Sequence, residues 1–264
     1  MTLITISLLL LYSLAAAAPI GHHDDALKRR QVATLCDQYG VWSGNGYEVH
    51  NNNWGKASAT SGSQCTYVDS ASSGGVSWHT TWTWDGNQDL VKSYAYSGRQ
   101  FARGHIISSI KSMPTSVSWQ YNTSNIGANV AYDIFTAENP DHATSSGDYE
   151  LMIWCVFDLE RGQVGTCSSS LDWLTVCLCR IGLLGDVVPH GSLKGSVSVG
   201  GRSWNFYVDT NGAMKVYKFV ATSNIDSYNG DPKDFFNYLA SNEGYPADTQ
   251  NLIGMSTNCL APLP

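Results

Sequence analysis

The stretch Val76-Ser-Trp-His-Thr-Thr-Trp-Thr-Trp84, followed at once by Asp85-Gly86, decides the fold class. Its four apolar residues all fall on even-numbered positions, which is the spacing of side chains on one face of a β-strand. Similar alternation recurs in residues 115–121 and 129–135. Gly, Ser and Asn separate such runs from Tyr47 to Ala137, and these residues favour turns. This part of the chain is therefore predicted to be β-sheet.

A single helix is predicted late in the chain, at Asp231–Asn242. Pro232 suits its first turn, and Phe235, Phe236, Tyr238 and Leu239 form an apolar stripe. Many short strands with one late helix are typical of an all-β sandwich or jelly roll.

The N-terminal 30 residues are predicted to be removed during export. Residues 1–18 combine an apolar core with a run of small residues, as a signal peptide does. Residues 19–30 then end in Lys28-Arg29-Arg30, a basic processing site. We therefore expect a secreted, extracellular protein consisting of one domain, 31–264. Since no later apolar run approaches about 20 residues, no membrane span is predicted.

The composition narrows the class of ligand. The chain carries a formal charge of −7, which argues against nucleic acid and anionic membranes as partners. It has 14 Tyr and 9 Trp with only 14% charged residues, which suits an uncharged, ring-shaped ligand such as a sugar. Its seven cysteines show no convincing zinc-ligand spacing, so no metal site is predicted. Asn122-Thr-Ser is a glycosylation sequon.

The most informative segment for chemistry is Asp148-Tyr-Glu-Leu-Met-Ile-Trp154. In a strand, Tyr149, Leu151 and Ile153 fall on one face, which leaves Asp148, Glu150, Met152 and Trp154 on the other. A carboxylate flanked by large apolar groups on an open face describes the floor of a cleft. The alternative, a solvated glutamate on an edge strand, stays open on this segment alone.

Asp133 offers Glu150 a partner. Val130, Tyr132 and Ile134 occupy the opposite face of its predicted strand, so Asp133 also points away from the core. Two carboxylates from neighbouring strands can share a proton, which positions one of them and tunes its charge.

Several separate segments resemble glycoside hydrolase family 12. They are Asn51-Asn-Asn-Trp-Gly55, Ser61-Gly-Ser-Gln-Cys65, Tyr132-Asp-Ile-Phe135, Tyr149-Glu-Leu-Met-Ile-Trp154, Gly212–Ala221 and Asp234-Phe-Phe-Asn-Tyr-Leu239. Their order and spacing fit the family over 36–154 and about 185–253.

The resemblance implies a two-sheet β-jelly roll with a concave cleft for a β-1,4-glucan chain and a mechanism that needs no metal or organic cofactor. A monomer is expected, although the sequence does not determine the oligomeric state. Glu150 would be the nucleophile of a retaining mechanism and Asp133 its hydrogen-bonded neighbour. The other residues it implicates are Asn52 and Trp54 in the minus subsites, Met152 at the catalytic centre, Tyr39 as a sugar platform, Pro189 in a loop crossing the cleft, and a Cys36–Cys65 disulfide.

The chain departs from the family in residues 155–180. Four of the seven cysteines crowd into this stretch, which interrupts the family pattern after the Ile-Trp strand. Two interpretations stay open, namely translated intron sequence and a real, disulfide-bearing insertion at the rim of the cleft.

The second departure concerns the acid/base glutamate, which the family carries in a Gly-Thr-Glu strand after the helix. No side-chain carboxylate follows Asp248, and neither Glu243 nor Glu138 fits the role. The final strands are also predicted to be absent, which would leave an exposed sheet edge. Weak hydrolysis of polymeric glucan is expected.

Three functions therefore remain. They are an endo-β-1,4-glucanase on cellulose or mixed-linkage glucan, a xyloglucan-specific enzyme of the same class, and a non-catalytic carbohydrate-binding sandwich. Residues 92–98, with alternating tyrosines, resemble the xyloglucan-specific members.

Overall fold

A computed structural model describes residues 31–87, 90–120, 129–143, 146–156, 190–223, 225 and 227–261. The predicted signal and pro-segments, Asn122, Pro189 and nearly all of the predicted 155–180 insertion lie outside these residues. The side chains of Val156 and of residues 258–261 are likewise not described.

Strands dominate the described residues, as the alternating sequence predicted. Fifteen of them occur, together with one α-helix, α1 (Pro232–Asn242), and two short 3-10 turns. The strands are β1 (Ala33–Leu35), β2 (Val41–Gly44), β3 (Tyr47–His50), β4 (Ser61–Ser72), β5 (Gly75–Asp85), β6 (Ser93–Arg99), β7 (His105–Ile106), β8 (Thr115–Ser118), β9 (Asn129–Ala137), β10 (Tyr149–Val156), β11 (Ser192–Val199), β12 (Arg202–Asn211), β13 (Met214–Ala221), β14 (Ser227–Gly230) and β15 (Asn251–Ala261).

Most strands belong to one large sheet with the order β11-β12-β13-β10-β9-β15-β6-β3-β2, to which β7 adds by pairing with β15. A smaller sheet has the order β1-β4-β5, and β14 pairs with β8. Within the large sheet β10 and β13 run parallel, whereas β9 is antiparallel to both of its neighbours. This two-sheet sandwich confirms the predicted all-β jelly-roll class.

The prediction that the sheet lacks its final strands is wrong at the position beside β9. Residues 251–261 form β15, which pairs with β9 on one side and with β6 on the other. The segment contains no proline, so every residue can donate to a ladder, as a central strand requires. No edge is therefore left open between β9 and β6.

The core lies between one face of the large sheet, the small sheet and α1. Trp78, Tyr132, Ile134 and Phe219 are fully buried there. The ring of Phe235 from α1 meets Phe219 edge to face at 4.9 Å, a geometry that aromatic pairs prefer. The predicted helix therefore forms with its apolar stripe buried against the core. Pro232 lies in its first turn, as predicted.

Two local features fix the ends of the framework. Asp231 caps α1 by accepting a hydrogen bond from the Lys233 backbone N–H at 2.9 Å. The Cys36–Cys65 disulfide forms as predicted, with 4.2 Å between the Cα atoms. Among the described helices, none is long and apolar enough to cross a membrane.

Candidate active site

The two faces of β10 have opposite character. Leu151 and Ile153 are buried in the main core, and Tyr149 packs against that core. Side chains alternate along a strand, so Glu150, Met152 and Trp154 lie on the other face of the large sheet, which we call the cleft face. Glu150 is only 9% exposed. The strand therefore presents a largely desolvated carboxyl on the face of the sheet opposite the main core.

Asp133 lies on the cleft face of the neighbouring strand β9. Tyr132 and Ile134 on either side of it are fully buried in the core. Asp133 pairs in register with Met152, and Glu150 with Phe135. Asp133 is therefore the diagonal neighbour of Glu150, and the two carboxyl groups are hydrogen-bonded. One proton must lie between two carboxyl oxygens that bond in this way, so the two groups titrate as a pair.

Burial raises the pKa of Glu150 above its ordinary value. Removal from water disfavours the charged carboxylate, and this is the largest influence on the group. The hydrogen bond from Asp133 and the positive charge of Lys218 act in the opposite direction, while the negative charge of Asp209 adds to the rise.

An apolar surface adjoins the pair. Trp154 packs with Ala131 and Val220 in a small cluster separate from the main core, and Met152 and Tyr207 lie against it. Met152 and Tyr207 are half-buried, whereas Trp154, Ala131 and Val220 are buried, so Met152 and Tyr207 are the members of the cluster that can meet the apolar C–H face of a sugar ring.

A cavity of about 420 Å³ extends from Asp133 across β15 and β6 to β3. Asn52, Tyr94, Tyr96, Glu48, Phe101 and Ser256 are among the residues that line it. Asn52 has a φ of 45°, a left-handed conformation that Asn tolerates better than most residues, and its amide donates to the Tyr94 carbonyl at 2.8 Å.

Two polar side chains of β3 were missed by the sequence analysis, and one of them, Glu48, lines the far end of this cavity. Glu48 and His50 lie on the cleft face of β3, with 3.2 Å between Oε1 and Nε2. The His50 ring stacks on Tyr96 with 4.2 Å between centroids. The alternation of β3, in which Tyr47 and Val49 are buried in the core, was the signal that could have found them.

Comparison with known proteins decides the family. The sequence model of Glycosyl hydrolase family 12 matches residues 45–178 and 163–259. This chain belongs to glycosyl hydrolase family 12.

Two fungal proteins are among the relatives of this family 12 chain. Endoglucanase A of Aspergillus kawachii is 46% identical over 224 residues, which span 83% of this chain and 82% of the relative. A xyloglucan-specific endo-beta-1,4-glucanase A of Emericella nidulans is 39% identical over 234 residues, with 89% and 83% covered.

Solved structures of the family share the architecture. The catalytic domain of Humicola grisea Cel12A, in complex with a thio cellotetraose, is 45% identical and superposes with a TM-score of 0.75, covering 88% of this chain and 93% of that one. Endoglucanase 3 of Trichoderma harzianum gives a TM-score of 0.73 at 43% identity, with 88% and 91% covered.

The remaining predicted site residues of the family 12 chain differ in whether they line the described cavity. Trp54 and Tyr39 are 53% and 63% exposed, and neither lines the described cavity. Asn52 does line it, together with Asp133. Pro189 and Asn122 fall outside the described residues.

Retention requires a second carboxyl about 5–5.5 Å from the nucleophile, and β15 does not supply one. No Asp or Glu occurs in Asn251–Ala261, where Gly254 and Ser256 lie opposite Phe135 and Asp133.

Three other carboxyls of the described residues are poorly placed for this role. Glu48 is four strands from Glu150 in the sheet order, about 19 Å at about 4.8 Å per strand. Asp209 is two strands away and is bound to Lys218. The Oδ2 atom of Asp148 accepts from the Glu138 backbone N–H at 2.7 Å and from Gln250 Nε2 at 3.0 Å, which directs it to the loop after β9.

Proposed function

We propose that this chain is a secreted, endo-acting retaining hydrolase of β-1,4-glucosidic bonds in plant cell-wall glucans, with Glu150 as its nucleophile. The observation that carries the proposal is the placement of Glu150. It is buried on the cleft face of β10, hydrogen-bonded to Asp133 and next to the apolar surface formed by Met152 and Trp154. Membership of family 12 supports the same reaction class.

The chemistry follows from these positions. The Glu150 carboxylate attacks the anomeric carbon, and the bond to the leaving oxygen breaks with its electron pair on that oxygen. A covalent glycosyl ester results, which water then hydrolyses with retained configuration. Asp133 holds the Glu150 carboxyl in place through their shared hydrogen bond. Asn52, Trp54, Met152 and Tyr39 would contact the glucan chain.

Protonation of the leaving oxygen is the step for which the site offers no general acid. A sugar alkoxide is a poor leaving group, and loss of a positioned general acid costs typically about 10²–10⁴-fold in rate. An aryl leaving group of low pKa departs without a proton. The carboxyl pair therefore supports covalent glycosylation by an activated glycoside more readily than hydrolysis of polymer.

Covalent trapping tests the proposal directly. Incubation with 2,4-dinitrophenyl 2-deoxy-2-fluoro-β-cellobioside should attach one fluorosugar, and peptide mass spectrometry should place it on Glu150. Attachment elsewhere, or release of dinitrophenol without a covalent product, would exclude Glu150 as nucleophile.

Xyloglucan is a second candidate substrate. The Emericella nidulans relative at 39% identity is named as xyloglucan-specific, and Tyr94 and Tyr96 line the cavity of this chain. Initial rates on tamarind xyloglucan and on carboxymethylcellulose, measured in parallel, distinguish the two substrates.

A non-catalytic carbohydrate-binding sandwich is the third candidate, favoured by the absence of a carboxylate in β15. Calorimetric binding of cellohexaose without release of reducing ends over days would select it.

The processing and the oligomeric state have their own tests. N-terminal sequencing of the exported protein should give Gln31 as the first residue, and light scattering should give the mass of a monomer.

A further inference from the structure

Lys218 occupies an unusual position on the cleft face. On β13, Tyr217 and Phe219 point into the core, so Lys218 projects from the same side of the sheet as Glu150. In the parallel ladder Glu150 pairs with Val216 and Met152 with Lys218. Lys218 is therefore the diagonal neighbour of Glu150 on one side, as Asp133 is on the other.

The ammonium group is fixed by two partners. Lys218 Nζ donates to Asp209 Oδ2 and to the His190 carbonyl oxygen, both at 2.8 Å. The Lys218 side chain is 10% exposed and that of Asp209 28%. Two strongly directed hydrogen bonds at this burial hold a flexible side chain in one position.

The fold alone does not account for this pair. Burying an ion pair costs desolvation that can offset its Coulomb attraction, so the pair is weak evidence of a gain in stability. Val216 and Val220, the neighbours of Lys218 on the same face of β13, are apolar and buried. An apolar side chain at position 218 would extend that surface without the cost of desolvating an ammonium group.

We propose that Lys218 is a positioning residue for the nucleophile: held by Asp209 and the His190 carbonyl, its fixed positive charge favours the anionic form of Glu150 on the floor of the cleft. The inference rests on the proposed role of Glu150 and adds a residue to that site.

The charges around Glu150 make the direction of the effect clear. Asp133 faces it from β9, Lys218 from β13, and Asp209 and Tyr207 from β12, while His190 lies beside Asp209. Lys218 is one strand from Glu150 and Asp209 is two. Since Coulomb interactions weaken with distance, the cation acts more strongly on Glu150 than its counterion does.

The arrangement therefore predicts opposite effects for the two members of one ion pair. Lys218→Gln removes the cation and leaves the more distant anion, which should move the titration of Glu150 to higher pH. Asp209→Asn removes the anion and leaves the cation, which should move it to lower pH. A merely structural ion pair would give the same change for both substitutions, because each breaks the same contact.

Two measurements test the proposal on the full chain. The pH dependence of trapping by the fluorinated cellobioside reports ionisation of the nucleophile. The acid limb is the part of this pH profile in which the trapping rate rises as the nucleophile loses its proton. If the acid limb moves up by one pH unit, the trapping rate at a pH below it falls about tenfold. Titration of the ¹³Cδ signal of Glu150 in labelled protein, assigned with Glu150→Gln, reports the same ionisation without any reaction.

Matched variants sharpen the result. Lys218→Arg keeps the charge and should keep the wild-type limb. Lys215→Gln removes a cation from the same strand, but Lys215 lies over the Tyr217 ring on the core side, so the limb should not move. Opposite displacements for Lys218→Gln and Asp209→Asn support the proposal, whereas displacements of the same sign, or none, overturn it. Failure of the wild-type chain to be trapped on Glu150 would instead refute the proposed function.

Discussion

Strands β10 and β15 flank the same strand, β9, and both pair with it antiparallel. On the cleft face β10 carries a carboxyl, a thioether and an indole, whereas β15 places Gly254 and Ser256 opposite Phe135 and Asp133. The ladder bonds of a sheet use backbone groups alone. Strand β15 can therefore keep its place in the sheet without the carboxyl side chain that the chemistry needs. In this molecule the fold does not depend on the catalytic side chains of its strands.

The largest expected effect comes from removing the carboxyl on the β10 flank. Glu150→Ala should lower the rate on 2,4-dinitrophenyl β-cellobioside by about 10⁴-fold or more, the range in which loss of a nucleophile falls in other hydrolases. Glu243→Gln, at the end of α1, is the matched control and should retain the wild-type rate. Equal rates for wild type and Glu150→Ala would remove the distinction between the two flanks.

The next effect probes the β15 flank through the leaving group. Relative to a family 12 enzyme with both carboxyls, this chain should be about 10²–10⁴-fold slower on cellohexaose, which needs a general acid. With the dinitrophenyl glycoside the glycosylation step should show little deficit. Full activity on polymer by protein of intact mass would show that another group of the chain supplies the proton.

A smaller effect is expected from Asp133→Asn on β9, between the two flanks. An amide can still hydrogen-bond to Glu150 but cannot share its proton, so orientation is partly kept and the coupled titration is lost. Misplacement of a reacting group by about 1 Å can cost about 10²-fold, and we expect a loss up to that size. A changed acid limb in the trapping profile should accompany it; a loss of rate with an unaltered limb would limit Asp133 to a packing role.

The sequence predicted the β10 flank better than the β15 flank. Period-two alternation around Glu150 and Asp133 assigned their faces correctly, because each strand has a continuous apolar face. The sequence analysis expected the final strands to be absent, because the Gly-Thr-Glu motif of the family is missing after the helix. The backbone of 251–261 can nevertheless pair with its neighbours, and it forms β15.

Which strands lie side by side in the sheet was harder still to predict from the sequence. Lys218 and Glu150 are far apart in sequence, and nothing in either strand indicates that β13 lies beside β10 in parallel. The sequence therefore gives no sign that the charged residues Lys218, Asp209 and Glu48 are more than solvated surface groups. Only the strand order shows that they lie on the cleft face.

The smallest predicted effect concerns stability, and it sharpens the comparison without any substrate. Burial raises the pKa of Glu150 above 4.5, so folding favours its protonated form. The stability that this gives is fully present below the unfolded pKa and is lost as pH rises through the folded pKa, at about 1.4 kcal/mol for each unit of the shift. Glu150→Gln stays neutral at every pH. Its free energy of unfolding relative to wild type should therefore increase from acid to neutral pH and then level off. Ser256→Ala on β15 should show a difference that does not vary with pH. Urea unfolding of the three proteins at pH 3.5, 5 and 7 measures this, and a Glu150→Gln difference that is constant over that range would mean that the β10 carboxyl is no more desolvated than a surface group.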